Sequence, residues 1–334
     1  MTDVVATIAS MRAFLPSPRA VDVDRVARVT SLELGDSLRE LNVAQGDADE
    51  IIAQWDVFRA DESWMTLLAA LVSLVEQQMG DHDAPLPVWD DLDDAGASGR
   101  LLYYYLFAIT WRDTQVFLRE AGCPNAIIER TMSWLSRHTA IHVRKWDTVG
   151  LDAGWWMLPT LRGELLHVGS LQFHRVTLGV GSLAPRPWYN EYDAKVRGPG
   201  FRYGDASVGI HIPDKTDLSK SALDATFDEA RDVIGALWPV HERRIATCQS
   251  WMLDSQLEEF LAPSSNILEF QRRFAPLPEW IVDDGDIVEF VFRRPGVALR
   301  SRPQTTTLER AVVTLIESGR HWRVPPCWTD FDGI

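Results

Sequence analysis

The spacing of apolar residues changes once along this chain, near residue 150, and that change limits what it can fold into. Before it, apolar residues recur three and four apart, the period of an amphipathic helix. After it, short strand-like runs bounded by glycine and proline alternate with helical stretches, the pattern of an α/β sheet with parallel neighbours. The 334 residues suffice for two domains. The expected division is a mostly helical N-terminal domain over 1–150 and an α/β (α+β) domain over 151–334.

In the first half, Asp47 and Glu50 have capping-box spacing ahead of Ile51, Ile52 and Trp55. Trp64, Leu67, Leu68, Leu71, Leu74 and Val75 then follow a helical stripe, with Gly80 as the stop. A long helix is expected from about Gly99 to Glu120, ending at Gly122. Another begins near Asn125, with Ile128, Met132, Leu135 and Thr139 on one stripe. The polar, proline-bearing DHDAPLPVWDDLDDAGASG between them reads as a loop.

In the second half, LRGELLHVGSLQFHRVTL (161–178) holds two strand runs broken by Gly169. The glycine- and proline-rich 179–206 reads as a long loop. SVGIHIP (207–213) is a strand, about 221–237 a helix, and RRIATCQSWML (243–253) a strand. Short helices are expected in DSQLEEFL and NILEFQRRF, a strand in IVEFVFRR (287–294) and a helix over 305–319.

Charge narrows the partners. A net charge of −15 argues against nucleic acid, whose phosphates need a basic face. No run reaches the roughly 18 apolar residues of a membrane span, and the N-terminus lacks the pattern of a secretory signal. Cys123, Cys248 and Cys327 are distant and odd in number, which points to reduced thiols and a cytoplasmic location.

Four segments, LLHVGSLQF, VGIHIP, CQSWML and SSNILEFQRRF, in this order and spacing, resemble an acyltransferase family with an N-acyltransferase-like N-terminal domain. Its C-terminal half is similar to the GNAT (Gcn5-related N-acetyltransferase) fold, a mixed sheet. The resemblance is clear over about 160–275 and only general in the helical half. It implies acyl transfer from an acyl thioester, with acyl-CoA as donor, but no known acceptor; the expected acceptor is an amine or hydroxyl of an unidentified small molecule. One departure stands out. The glycine-bearing pyrophosphate loop of GNAT proteins is replaced by DKTDLSK (214–220), and Gly198, Gly200 and Gly204 precede a strand instead.

The residues around that loop carry the expected chemistry. Ser221 and Asp224 have capping-box spacing, which would start a helix near Ala222 and offer its N–H groups to a phosphate. Lys215, Thr216, Ser219, Lys220 and Ser221 would add donors, while Asp214 and Asp217 would oppose an anion. In the preceding strand Val208, Ile210 and Ile212 point one way and Gly209 and His211 the other. Gly209 would admit a ligand backbone, with Ile212 in the same cofactor-binding set. His211 has the chemistry of a general base. Gln172 and His174 share a face and would orient the acceptor or share the proton transfer. Ser250 would protonate the departing CoA thiolate, and Cys248, on its face, could in principle carry the acyl group. Backbone N–H groups at a strand splay would polarise the thioester. Trp155, Trp156 and Trp251 would line an acyl pocket or pack a core. By its position, the helical half would cover one side of the cleft and select the acceptor.

Other signals lead to no site. His138 and His142 stand four apart but lack an evident third ligand, so no metal is expected. Asp91, Asp93 and Gly96 resemble a calcium loop, but Ala95 and Leu102 fall where oxygen ligands are needed. The glycine pattern at Gly179–Ala184 is followed by Pro185 and Pro187, which bar a pyrophosphate-binding helix. The competing reading is a catalytically silent GNAT-like module that binds an acyl-carrier protein or another protein partner.

Overall fold

The structure, a computed structural model, describes Ala6 and residues 22–334 apart from 83, 85, 88–91, 93–94, 178–182, 185–196, 199–200, 203–204, 240–243 and 278–279. The described chain divides into two compact units, one running up to Leu166 and the other from His167 onward, with Leu183 and Ala184 grouped with the first.

The first unit contains helices α1 (Val23–Ala27), α2 (Ser31–Glu40), α3 (Gln45–Arg59), α4 (Glu62–Gln77), α5 (Ala97–Glu120), α6 (Asn125–Met132), α7 (Trp134–Trp146) and α8 (Leu158–Leu161). The expected helical stripes are buried, including Trp64, Leu67, Leu68, Leu71, Leu74 and Val75 of α4. Helix α3 starts earlier than its polar pair suggests. Ala44 occupies the N-cap position, and Asp47 lies in the first turn. The expected third helix is two, meeting at Ser133, which ends α6 and precedes α7. Tyr105 donates its hydroxyl to the Ile51 carbonyl (3.0 Å) and packs its ring 4.7 Å from that of Trp55, which joins α5 to α3. Arg162 and Glu164 form an ion pair buried to 0% and 1% exposure. Arg162 also donates to the Gln78 side chain (3.0 Å) and the Ala84 carbonyl (3.0 Å), and to the Asp81 carbonyl. This fixes the turn after α4 against the segment that leads out of the unit.

The second unit is built on a sheet of six strands: β1 (Leu165–Val168), β2 (Leu171–Thr177), β3 (Ala206–His211), β4 (Ile245–Gln249), β5 (Ala275–Pro276) and β6 (Pro326–Asp330), in the order β1-β2-β3-β4-β6-β5. The chain passes from one unit to the other within β1. Gly169, at φ +56°, turns β1 into β2, and a Cβ there would lie 2.7 Å from the Thr226 Cα. Helix α9 (Lys220–Leu237) links β3 to β4, and these are the one parallel pair among the described registers of this sheet. β2–β3, β4–β6 and β6–β5 are antiparallel, so the expectation of generally parallel neighbours is corrected. Only one helix is spent as a crossover.

Between β4 and β6 lies a largely helical insertion with its own core, containing Trp251, Leu257, Leu268, Ile287, Phe292, Val312, Leu315 and Trp322. It includes α10 (Asn266–Gln271), α11 (Asp284–Phe292) and α12 (Thr307–Glu317). IVEFVFRR is therefore helix up to Phe292, not strand. Asp283 caps α11 by accepting from the Asp286 N–H (3.1 Å), and Ile287, Val288, Val291 and Phe292 pack on one side at helical spacing. The local β-branched content is overridden by the cap and that packing. The expected strand to Leu253 ends at Gln249, and Trp251–Leu253 form a 3-10 turn. Among the described residues no helix is long and apolar enough to cross a membrane.

Candidate active site

The two faces of the sheet differ in chemistry. One face presents Phe173 of β2, Val208 and Ile210 of β3, Ala246 and Cys248 of β4 and Cys327 of β6, all buried. Helix α9 covers it with Leu223, Phe227, Ala230 and Ile234, and the Phe227 ring meets that of Phe173 edge-on at 6.2 Å. The other face is polar along β2, β3 and β4. Register places Gln172 opposite His211 and His174 opposite Gly209, so all four share it. Gly209 is in turn level with Thr247 of β4, which adds Thr247 and, two residues on, Gln249. Ser207 joins them through a hydroxyl contact with Thr247 (3.2 Å).

The parallel pair is short. Val208 aligns with Ala246 and Gly209 with Thr247, yet β3 continues to His211 and β4 to Gln249. Beyond Gly209 and Thr247 the two strands leave the common ladder. Continued at the same offset, His211 and Gln249 would be level across the opening. Backbone groups on the inner edges of a strand fork need partners, and an extended ligand chain supplies them.

His174 and His211 stand with ring centroids 5.6 Å apart, and the Nε2 atom of each is shielded from solvent. Burial, reinforced by His174, pushes the His211 imidazole down to about 3. His211 is therefore neutral throughout the physiological range. The site of a Cβ on Gly209 is 3.5 Å from His174 Cβ, His174 O and His211 Nε2, so this glycine leaves a methyl-sized space beside His174 and the His211 ring.

The loop after β3 takes a form that the sequence did not reveal. Ser219, not the Ser221–Asp224 pair, caps α9, accepting from the Ala222 N–H (3.4 Å). Asp224 instead pairs with Lys220 (2.6 Å) and Arg273 (2.6 Å), and those hydrogen bonds lower its pKa, Lys220 first. Asp217 accepts from the Ser219 N–H (2.8 Å), which holds its carboxyl below the usual range. Thr216 donates to the Pro213 carbonyl (2.6 Å), and Lys215 is exposed at φ +58°. Asp214 is answered by Arg293 of the insertion at 3.9 Å. The two acids counted against an anion site are thus engaged in holding the loop. Ile212 is half-buried just past the end of β3.

Past the end of β4, Ser250 accepts from the Met252 N–H (3.2 Å) and so caps the 3-10 turn. Continuing the alternation of β4, it falls on the Cys248 side, away from His211. Burial raises the Cys248 thiol far above its ordinary pKa, with Cys327 directly opposite. Trp251 belongs to the core of the insertion, and the Trp155 side chain lies outside the described residues. Two motif segments explain each other. Gln271 of SSNILEFQRRF donates to the Met252 (2.7 Å) and Asp254 (3.1 Å) carbonyls at the end of CQSWML. His138 and His142 bond the Asp152 and Thr148 carbonyls through Nδ1. Of the calcium-like stretch, Asp91 and Asp93 lie outside the described residues, as do most of 179–204.

Thr247, Gln249 and Arg293 were missed. Alternation along CQSWML separates Gln249 from Cys248 and Ser250, but only register with β3 tells which side belongs to His211.

Comparison with known proteins places both units. Residues 33–163 match the model of the N-acyltransferase N-terminal domain and residues 165–329 that of the GNAT-like C-terminal domain. No curated protein matches the chain. Among solved structures, an acyltransferase mutant in complex with octanoyl-CoA is 30% identical, with a TM-score of 0.81 over 99% of this chain and 96% of that one. An acyltransferase in complex with decanoyl-CoA is 28% identical (TM-score 0.80), again over 99% and 96%. A complex of an acyltransferase with decanoyl-CoA and teicoplanin is 30% identical (TM-score 0.79), with the same coverage.

Proposed function

As the chain belongs to the acyltransferase family that joins an N-acyltransferase N-terminal domain to a GNAT-like C-terminal domain, we propose that it transfers a medium-chain acyl group from acyl-CoA to an amine or hydroxyl of a small molecule. The observation that carries this reading is the parting of β3 and β4 after Gly209 and Thr247, beneath a face bearing Gln172, His174 and His211. The donor's pantetheine arm lies in that fork, its thioester near Gly209. Its phosphates lie toward the loop of Lys215, Thr216, Ser219, Lys220 and Ser221. The octanoyl- and decanoyl-CoA complexes of the similar structures support the donor class, and the teicoplanin complex supports an acceptor of that kind.

Transfer is direct. The acceptor nitrogen or oxygen attacks the thioester carbon, the carbon–sulfur bond breaks, and its electron pair leaves on sulfur. The proton lost by the acceptor passes to the neutral His211 imidazole. A group with a pKa near 3 cannot hold that proton beside a thiolate, whose reference pKa is roughly 8.5. His211 thus relays the proton to the departing CoA sulfur, the task first given to Ser250. Gln172 and His174 orient the acceptor, and orientation of both reactants supplies much of the rate.

The test is thiol release from octanoyl- and decanoyl-CoA with teicoplanin as acceptor, beside thermal melts with each donor. Donor at 100 times its dissociation constant adds about 2.7 kcal/mol of stability. Acylated product by mass spectrometry supports the proposal. Neither stabilisation nor thiol release with any acyl-CoA would refute it and favour a silent module or a carrier-bound donor.

A further inference from the structure

We infer that Gln249 is a catalytic residue whose side-chain amide donates a hydrogen bond to the thioester oxygen as negative charge develops on it. The inference rests on the donor reading above and adds a residue to it. Three observations converge on Gln249. It is the last residue of β4 and, at the offset set by Gly209 and Thr247, falls level with His211 at the end of β3, beyond the last paired residues. It shares the polar face with Thr247, and through register with Gly209, His174 and Gln172. Its Nε2 is buried and meets no hydrogen-bond partner among the described residues.

The third observation has an energetic meaning. A buried amide donor without an acceptor costs stability, so packing alone gives no reason to keep one at the end of this strand. Its neighbour Thr247 differs, since its hydroxyl already engages Ser207. An acceptor that arrives with the substrate removes the penalty. Fixed donors are worth most where the acceptor's charge grows during the reaction. When the nucleophile attacks, the carbonyl π pair moves onto oxygen and makes it a stronger acceptor. When the carbon–sulfur bond breaks, the pair returns and the sulfur leaves with the bonding electrons. Gln249 neither gains nor loses a proton in either step. His211 attends the nucleophile from β3 while Gln249 attends the oxygen from β4, so the fork sets the two roles on opposite sides of one carbonyl.

The test is Gln249→Met, which keeps the length of the side chain and removes its N–H groups. Kcat should fall about 100-fold, the cost of losing one oxyanion donor, with little change in KM for octanoyl-CoA. The melting temperature should stay the same or rise, because an unpaired buried donor has been removed. A spectroscopic readout separates chemistry from packing. With octanoyl-CoA bound and no acceptor, the infrared thioester carbonyl stretch should lie lower in wild type than in solution and return upward in the variant. Unchanged kcat and carbonyl frequency in a folded Gln249→Met overturn the role. If that variant melts early, a wild-type carbonyl stretch equal to that in solution overturns it instead. Wild-type protein that neither binds nor turns over octanoyl- or decanoyl-CoA removes the donor reading and this role with it. Normal wild-type turnover beside an unaffected variant removes the role alone.

Discussion

The imidazoles of His174 and His211 stand 5.6 Å apart on neighbouring antiparallel strands, with Gly209 directly opposite His174. A charge on His174 raises the cost of protonating His211. Burial and that neighbour hold His211 near 3, far from the roughly 6.5 of a free imidazole.

This sets a pH signature. Unfolded His211 binds a proton below about pH 6.5, while the folded residue does not until about 3. Its contribution is therefore fully present above about pH 6.5 and is lost as pH falls towards 3, by at most about 1.4 kcal/mol per pH unit. Melts of wild type and His211→Asn between pH 7 and 4.5 should diverge, with the wild type falling more steeply. The kcat/KM profile should show no acid limb near 6.5 from this residue.

Gly209→Ala should separate folding from ligand entry. The added methyl would touch His174 and His211 at 3.5 Å, ordinary van der Waals contact, and Gly209 is not among the glycines with positive φ. The fold should keep its melting temperature or gain the ~0.4–1 kcal/mol typical of Gly→Ala at compatible sites. Turnover should fall at least about 10-fold if the donor occupies that space, equivalent to about 1.4 kcal/mol. Full activity in Gly209→Ala would show that the thioester passes elsewhere.

Cys248→Ser should keep turnover. Burial pushes its thiol up, and the opposite Cys327 to about 12, so neither supplies a thiolate near neutrality. Native protein at pH 7.5 should resist iodoacetamide at both cysteines. An acyl adduct on Cys248 by mass spectrometry would contradict direct transfer.

The buried Arg162–Glu164 pair should dominate the stability of the helical unit. Arg162→Met leaves a buried carboxyl without its cation and should cost about 3–5 kcal/mol. Burial raises Glu164 to about 7, opposed first by Arg162. Its contribution is present below about pH 4.5 and lost as pH rises through about 7, opposite in sign to His211. Denaturant titrations of Glu164→Gln and wild type at pH 5 and 8 should show the larger pH dependence in wild type.

Much of the fold was legible because it is local. The stripe Trp64–Val75 and the alternation along LQFH and VGIHIP need only the geometry of one helix or one strand. Local reading failed where a cap or a packing partner decided the outcome. Ser219 took the cap that Ser221 and Asp224 were expected to form, because Asp224 pairs with Lys220 and Arg273. IVEFVFRR, β-prone by itself, became a capped helix over the insertion core.

By itself the sequence determined which side chains share one face of one strand, and hence that Gly209 and His211 point to one side, as do Gln172 and His174. Side-chain direction in a strand is fixed by the backbone repeat of two. Only the tertiary structure decided that these two faces are the same face, that Gln249 joins them, and that Arg293 answers Asp214. Register and long-range contact are set by which surfaces bury each other, and a single strand carries no record of its neighbour's offset.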